Sequence, residues 1–171
     1  HFDYFAPTEI IFGAGRVTEA GALAARYGKK AMLVTVPEFP AVAELYAKVK
    51  KSLADAGVAC VHYDGVIPNP TTELVTRGAE LAKAEGVDVV IGLGGGSSMD
   101  TAKAIAVEAT HPGTAWDYNC HTAGPTEQTL PILAISTTAG TGSQTTPCAV
   151  ITKTSAKDKS AIWNKNIFPR A

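Results

Sequence analysis

The sequence predicts an α/β fold built on a doubly wound, mostly parallel sheet. Three observations predict it. Short β-branched apolar runs alternate with amphipathic helical stretches, glycine or proline marks almost every boundary, and one apolar run, Val89 to Leu93, leads directly through Gly94, Gly95 and Gly96 into a helical pattern. Strands that alternate with helices join most simply as βαβ units in a parallel sheet.

Taken in order, Glu9 to Phe12 reads as a short strand and the Ala-rich stretch Gly15 to Tyr27 as a helix ending near Gly28. Ala31 to Val36 is a second strand, and Pro40 to Ala56 an amphipathic helix closed by Gly57. Val58 to Tyr63 is a third strand, followed by the turn Pro68-Asn69-Pro70 and a helix from Thr71 to Glu85 that Gly86 ends. Asp88 opens the strand before the glycines, and the helix after them runs to near Thr110. His111 to Thr129 is polar and irregular, which in a compact domain marks a functional loop or a lid. Leu130 to Ser136 is again a buried strand, and Ala149 to Thr152 and Ser160 to Trp163 are two further short ones.

The 171 residues suffice for one large or two small domains, and the formal net charge of −1 points to neither nucleic acid nor an anionic membrane as partner. No apolar run approaches a membrane span, and no signal peptide is visible. Cys60, Cys120 and Cys148 are odd in number and form no C-x-x-C, as expected of reduced thiols in a cytoplasmic protein. The start at His1 and the end at Ala171 suggest part of a longer chain.

The chemistry concentrates where the strand meets the three glycines. A bare strand-to-helix turn needs one glycine, and each extra one costs stability unless something must approach the backbone closely. Ser97 stands ahead of the helical pattern with Asp100 three residues on, the spacing of a capping box. Free N–H groups and the helix dipole would then favour a phosphate, here the pyrophosphate of a dinucleotide. The usual G-x-G-x-x-G spacing is missing, no G-x-x-x-x-G-K-[ST] occurs, and Gly13-Ala14-Gly15 fails as a fingerprint because Thr18 replaces the third glycine. A second glycine- and hydroxyl-rich loop, Thr137 to Ser143, also leaves the carboxyl end of a strand, where open α/β sheets bind ligands. By composition it fits a polar β-turn equally well. Asp100 and Lys103 share a helix face and could simply pair with each other.

Gly94-Gly-Gly-Ser-Ser-Met-Asp-Thr-Ala-Lys-Ala104 followed by Thr137-Thr-Ala-Gly-Thr-Gly-Ser143 resembles the iron-dependent (group III) alcohol dehydrogenases. Phe5-x-Pro-Thr-x-Ile-x-Phe-Gly-x-Gly15, Pro68-Asn-Pro-Thr71, and Ala149-Val-Ile-Thr152 with Lys159 extend the match over nearly the whole chain. The resemblance implies a Rossmann-like domain of the dehydroquinate synthase-like superfamily that binds NAD or NADP over residues 1–171. A C-terminal helical domain holding Fe²⁺ or another divalent metal through one Asp and three His would lie outside the chain. It also implies the roles of particular residues. Gly95, Gly96, Ser97, Ser98, Met99 and Asp100 would hold the pyrophosphate and nearby ribose. Thr137 and Thr138 would contact the adenine side, Asn69 the nucleotide's edge, and Val150 and Lys159 the ribose–nicotinamide region. His1, His62, His111 and His121 form no H-x-x-x-H pair, so no metal site is expected among them.

Two departures stand out. Val36 occupies the position where NAD-preferring members carry an Asp, which admits NADP, although Glu38 could partly replace the missing acid. Gln144 replaces the usual Glu after Gly-Thr-Gly-Ser. The expected activity is hydride transfer between the cofactor and a small alcohol, aldehyde or ketone, with no catalytic residue in this chain. The alternatives are a glycerol dehydrogenase or dehydroquinate synthase type of relative, a stand-alone nucleotide-binding module, and a domain with a vestigial site. Trp116, Tyr118 and His121 are expected to line or cap the cleft, and an exposed first strand would allow a homodimer.

Overall fold

The computed structural model describes residues 1–3 and 5–171. Four parallel strands, β1 (Lys30–Val34), β2 (Ala59–Tyr63), β3 (Val89–Gly94) and β4 (Ile132–Ser136), form one sheet in the order β2-β1-β3-β4. Side chains alternate across it. Ala31, Leu33, Ile91 and Leu93 meet α1 (Ala20–Ala24) and α2 (Pro40–Asp55) through Ala24, Tyr46, Val49 and Leu53. Met32, Val34 and Val90 meet α3 (Thr72–Glu85) and α4 (Gly96–Glu108) through Val75, Ala82, Ile105 and Val107. Helices on both faces make the sheet doubly wound, and strands buried on both faces explain the continuous apolar runs.

Helix ends follow local chemistry. Pro40 starts α2, where a missing N–H costs nothing. Thr71 caps α3 by accepting from the Leu74 N–H, and Gly86 ends that helix in the left-handed region. The stretch 15–27 is less helical than its alanines predict, with a 3₁₀ turn at Arg16–Glu19 before the five residues of α1. The cause is Ser52 on α2, whose hydroxyl donates to the Thr18 carbonyl at 2.6 Å and accepts from the Gly21 N–H at 2.8 Å. It thereby interrupts the ladder.

The expected strand at Glu9–Phe12 does not form. The Glu9 N–H reaches the Arg170 carbonyl, but Ile10 and Phe12 project into solvent. The two short C-terminal strands leave the sheet altogether. β5 (Cys148–Lys153) and β6 (Asp158–Trp163) pair antiparallel as a hairpin, with Ala149, Ile151 and Ile162 packed into the α4 core. The loop 111–129 is no lid over the strand ends. Glu108, the last residue of α4, holds it by accepting from the Ala115 N–H, and Cys120 donates to the Ala161 carbonyl on β6.

Candidate functional site

The parallel register sets Val34 beside Gly92 and Gly94 beside Ser136. The backbones leaving β1, β3 and β4 therefore emerge side by side. The chain turns outward from β1 to β2 and then returns across to β3, so the crevice between β1 and β3 is a switch point of the kind where such sheets bind ligands.

Each glycine of the turn has its own reason. At Gly92 an added Cβ would lie 2.9 Å from the Met99 Cα, so glycine lets α4 sit close on the sheet. Gly94 has a φ of 143°, and its Cβ would meet Ser98 Oγ at 2.5 Å. Gly95 and Gly96 face the second loop, where an added Cβ would meet Thr138 Oγ1 at 3.3 Å and Thr141 Cγ2 at 3.4 Å. Part of the room expected for a ligand is thus taken by the chain's own threonines. Thr137 closes the seam by donating its N–H to the Gly94 carbonyl at 2.9 Å. The Thr137–Ser143 loop is a wall of the crevice, not a detached turn.

The capping box expected at Ser97 and Asp100 is absent. Gly95 is the N-cap, without a side-chain cap, and Ser97 lies inside the helix. The first N–H groups of α4 therefore have no intrahelical acceptor. Asp100 accepts from Ser143 Oγ at 2.7 Å and from the Val150 N–H at 3.1 Å. It braces loop and hairpin against α4. Burial holds its carboxyl above the usual range, against the opposing pull of Ser143 and Val150. Met99 is buried, and its N–H donates to the Gly95 carbonyl, so it supports the turn from beneath. Asp100 and Lys103 do not pair directly but meet through Ser143, whose hydroxyl accepts from Lys103 Nζ at 3.1 Å.

The hairpin brings in the remaining residues. Thr152 donates its N–H to the Pro70 carbonyl at 2.8 Å, and Lys159, opposite Thr152 in the register, donates to Asn69 Oδ1 at 2.8 Å. Asn69 has a φ of 54°, a left-handed conformation that costs energy outside glycine. Two residues 90 apart in sequence thus stand together at the crevice.

Val36 closes the other side. Its carbonyl accepts from Tyr46 and Thr35, and Thr35 Oγ1 also meets His62 Nε2 at 2.8 Å. Burial lowers the His62 pKa. This Thr35–His62–Tyr46 cluster and the Lys103–Ser143 contact escaped sequence reasoning. A polar His62 within an apolar strand was the available signal for the first.

Three buried side-chain polar atoms have no partner among the described residues: Ser98 Oγ, Gln144 Oε1 and Thr152 Oγ1. They lie on the turn helix, the loop and the hairpin. Such atoms are costly unless a ligand or water meets them. A cavity of about 620 Å³ runs along β4 and residues 8–17 and borders the loop, with Thr137, Thr138 and Gln144 in its lining. Its charged residues are already paired, Arg16 with Glu19 and Glu9 with Arg26. Among the described residues, no group of three or more His, Cys, Asp or Glu could hold a metal ion. No helix there is long and apolar enough to cross a membrane.

Comparison with known proteins gives the family and the fold. Residues 7–171 match the family profile of iron-containing alcohol dehydrogenase. A choline dehydrogenase of Bacillus subtilis (strain 168) is 46% identical over 149 residues, covering 85% of this chain and 37% of that protein. An NAD-dependent methanol dehydrogenase of Bacillus methanolicus is 35% identical over 98% of this chain and 44% of its own length. The crystal structure of an archaeal halo-thermophilic alcohol dehydrogenase from a Red Sea brine pool superposes with a TM-score of 0.94 at 42% identity, over 99% of this chain and 45% of the other. The chain spans less than half the length of these relatives. With the family profile matched from residue 7 to the last residue, the chain belongs to the iron-containing alcohol dehydrogenases.

Proposed function

We propose that this chain is the cofactor-binding part of a metal-dependent NAD(P) alcohol dehydrogenase that interconverts a small alcohol and its aldehyde or ketone. The observation that carries this reading is Ser98. Its hydroxyl is fully buried and unpartnered at the uncapped N-terminus of a 13-residue helix, beneath two glycines. A pyrophosphate fits there: the dipole and free N–H groups supply the positive end, and the hydroxyl supplies a donor.

A bound nicotinamide supplies the hydride chemistry, and the protein supplies position and orientation. Gly95, Gly96, Ser97 and Ser98 would hold the pyrophosphate through backbone and hydroxyl donors. Thr137 and Thr138 would form the wall beside it. Asn69 and Lys159 would meet the ribose side, Val150 would shape the pocket floor, and Val36 would border the other ribose. Met99, which is buried, would act only from behind, and Asp100, tied to Ser143 and Val150, would meet the nearby ribose. Among the described residues no group of His, Cys, Asp or Glu fits a metal, so a metal and the carbonyl it polarises would belong to the remainder of the enzyme. The names of the relatives range from choline to methanol dehydrogenase, so family membership does not fix the alcohol.

The edge beside Val36 favours NADH over NADPH. Glu38 and Asp64 lie close enough to Tyr46 and His62 to act on both, so a 2′-phosphate would meet carboxylates. Fluorescence titration of the chain with NADH and with NADPH tests both points. Saturable binding, tighter for NADH, is expected. Equal affinity would remove the proposed discrimination, and no binding of either would contradict the site.

A further inference from the structure

Lys103 lies about two turns into α4 and has no exposed surface. Lysine is rarely buried completely unless it is paired. Here its ammonium meets the carbonyls of Ser143, Thr146 and Cys148 at 2.6, 2.9 and 2.8 Å, and Ser143 Oγ at 3.1 Å. No carboxylate among the described residues forms an ion pair with it. A neutral side chain of similar length would fill this space without the cost of a buried charge. What the charge does is hold four oxygens of one segment to one point on α4. That segment directly follows Thr138 and Thr141, the residues that stand over Gly95 and Gly96.

We propose that Lys103 is a positioning residue of the nucleotide site: its ammonium clamps the 143–148 segment to α4, and pyrophosphate binding and Lys103 protonation each strengthen the other. The inference rests on the nucleotide reading above. Negative charge at the turn, about 10 Å away through weakly screened protein, stabilises the cation. By reciprocity the protonated lysine must then favour the nucleotide by the same factor. Loss of the proton also removes one donor and leaves a buried carbonyl unmet.

The coupling falls within an accessible range, because burial lowers the Lys103 pKa to about 8 against the opposing pull of Asp100 and Cys148. Asp100 on α4 and Cys148 on β5, whose thiol pKa is raised by burial, are the titratable groups that act on it, and Lys159 on β6 acts on Asp100. β3, β4 and the segment 137–146 carry no titratable side chain. Nucleotide affinity should therefore fall as pH rises through this range.

Calorimetric titration with NADH between about pH 7 and 9.5, in buffers of different ionisation enthalpy, reads affinity and proton uptake together. A several-fold loss of affinity and a fraction of a proton taken up near pH 8 are expected. Lys103→Met should bind more weakly at pH 7, with a flat profile and no uptake. Carbon-13 shifts of the lysine Cε atoms need no variant: one lysine should titrate well below the others, and NADH should move it upward. A flat wild-type profile without proton uptake, a Lys103→Met chain that keeps the wild-type profile, or no low-titrating lysine would each overturn the inference while leaving the nucleotide site intact. Failure to bind NADH at any pH would instead remove the nucleotide reading, and this inference with it.

Discussion

The two ends of α4 adjoin polar segments in opposite condition. At the C-terminal end, polar groups close on one another. The Thr126 N–H donates to His111 Nε2 at 2.9 Å, which leaves the ring proton on Nδ1, facing the Val107 carbonyl at 2.9 Å. Thr114 and Asp117 form the capping box that residues 97 and 100 do not, and Tyr118 donates to the Pro112 carbonyl at 2.7 Å. At the N-terminal end, Ser98 Oγ and the nearby Gln144 Oε1 are buried without partners, and the helix has no side-chain cap. What separates the two ends is unmet hydrogen-bonding capacity.

The comparison breaks most visibly at His111. Replacing it with Ala should cost about 2–3 kcal/mol in urea denaturation, since it strands buried partners. NADH affinity should not change, and a large loss of affinity would return the 111–129 loop to the site. Ser98→Ala sharpens the contrast from the other side. It should leave stability unchanged or raise it by about 1 kcal/mol, because an unmet hydroxyl is removed. NADH affinity should fall several-fold, whereas a destabilised chain with full affinity would make Ser98 a packing residue.

The smallest effect concerns His62, at the far edge of the crevice. Burial, first, and then Lys50 hold its pKa below the usual value. As pH falls below about 6.5, the unfolded chain takes up a proton that the folded chain refuses, so stability declines in that range. His62→Gln should flatten that acid limb. An unchanged limb would assign the decline to other groups.

Much of the fold was legible in the sequence because its signals are local. Pro40, Thr71 and Gly86 bound helices by the chemistry of one or two residues, and Gly94 marks a turn that no other residue type makes cheaply. What failed depends on distant partners. Ser97 and Asp100 have capping-box spacing, but Asp100 is drawn across to Ser143, 43 residues away. The alanines of residues 15–27 predict a longer helix than Ser52 permits. Ile10 and Phe12 alternate like a strand, yet among the described residues no strand pairs with them. The two short C-terminal strands are readable, but not that they leave the sheet to cover α4 and carry Lys159 to Asn69.

The central claim is that the glycine turn, the Thr137–Ser143 loop and the Asn69–Lys159 pair form one nucleotide site. Backbone amide shifts recorded while NADH is added test it residue by residue. The account predicts the largest changes at Gly95–Ser98, Thr137–Thr141, Asn69 and Lys159, with residues 111–129 unmoved. Changes centred instead on residues 8–17 and the cavity along β4, or no changes at saturating NADH, would contradict it.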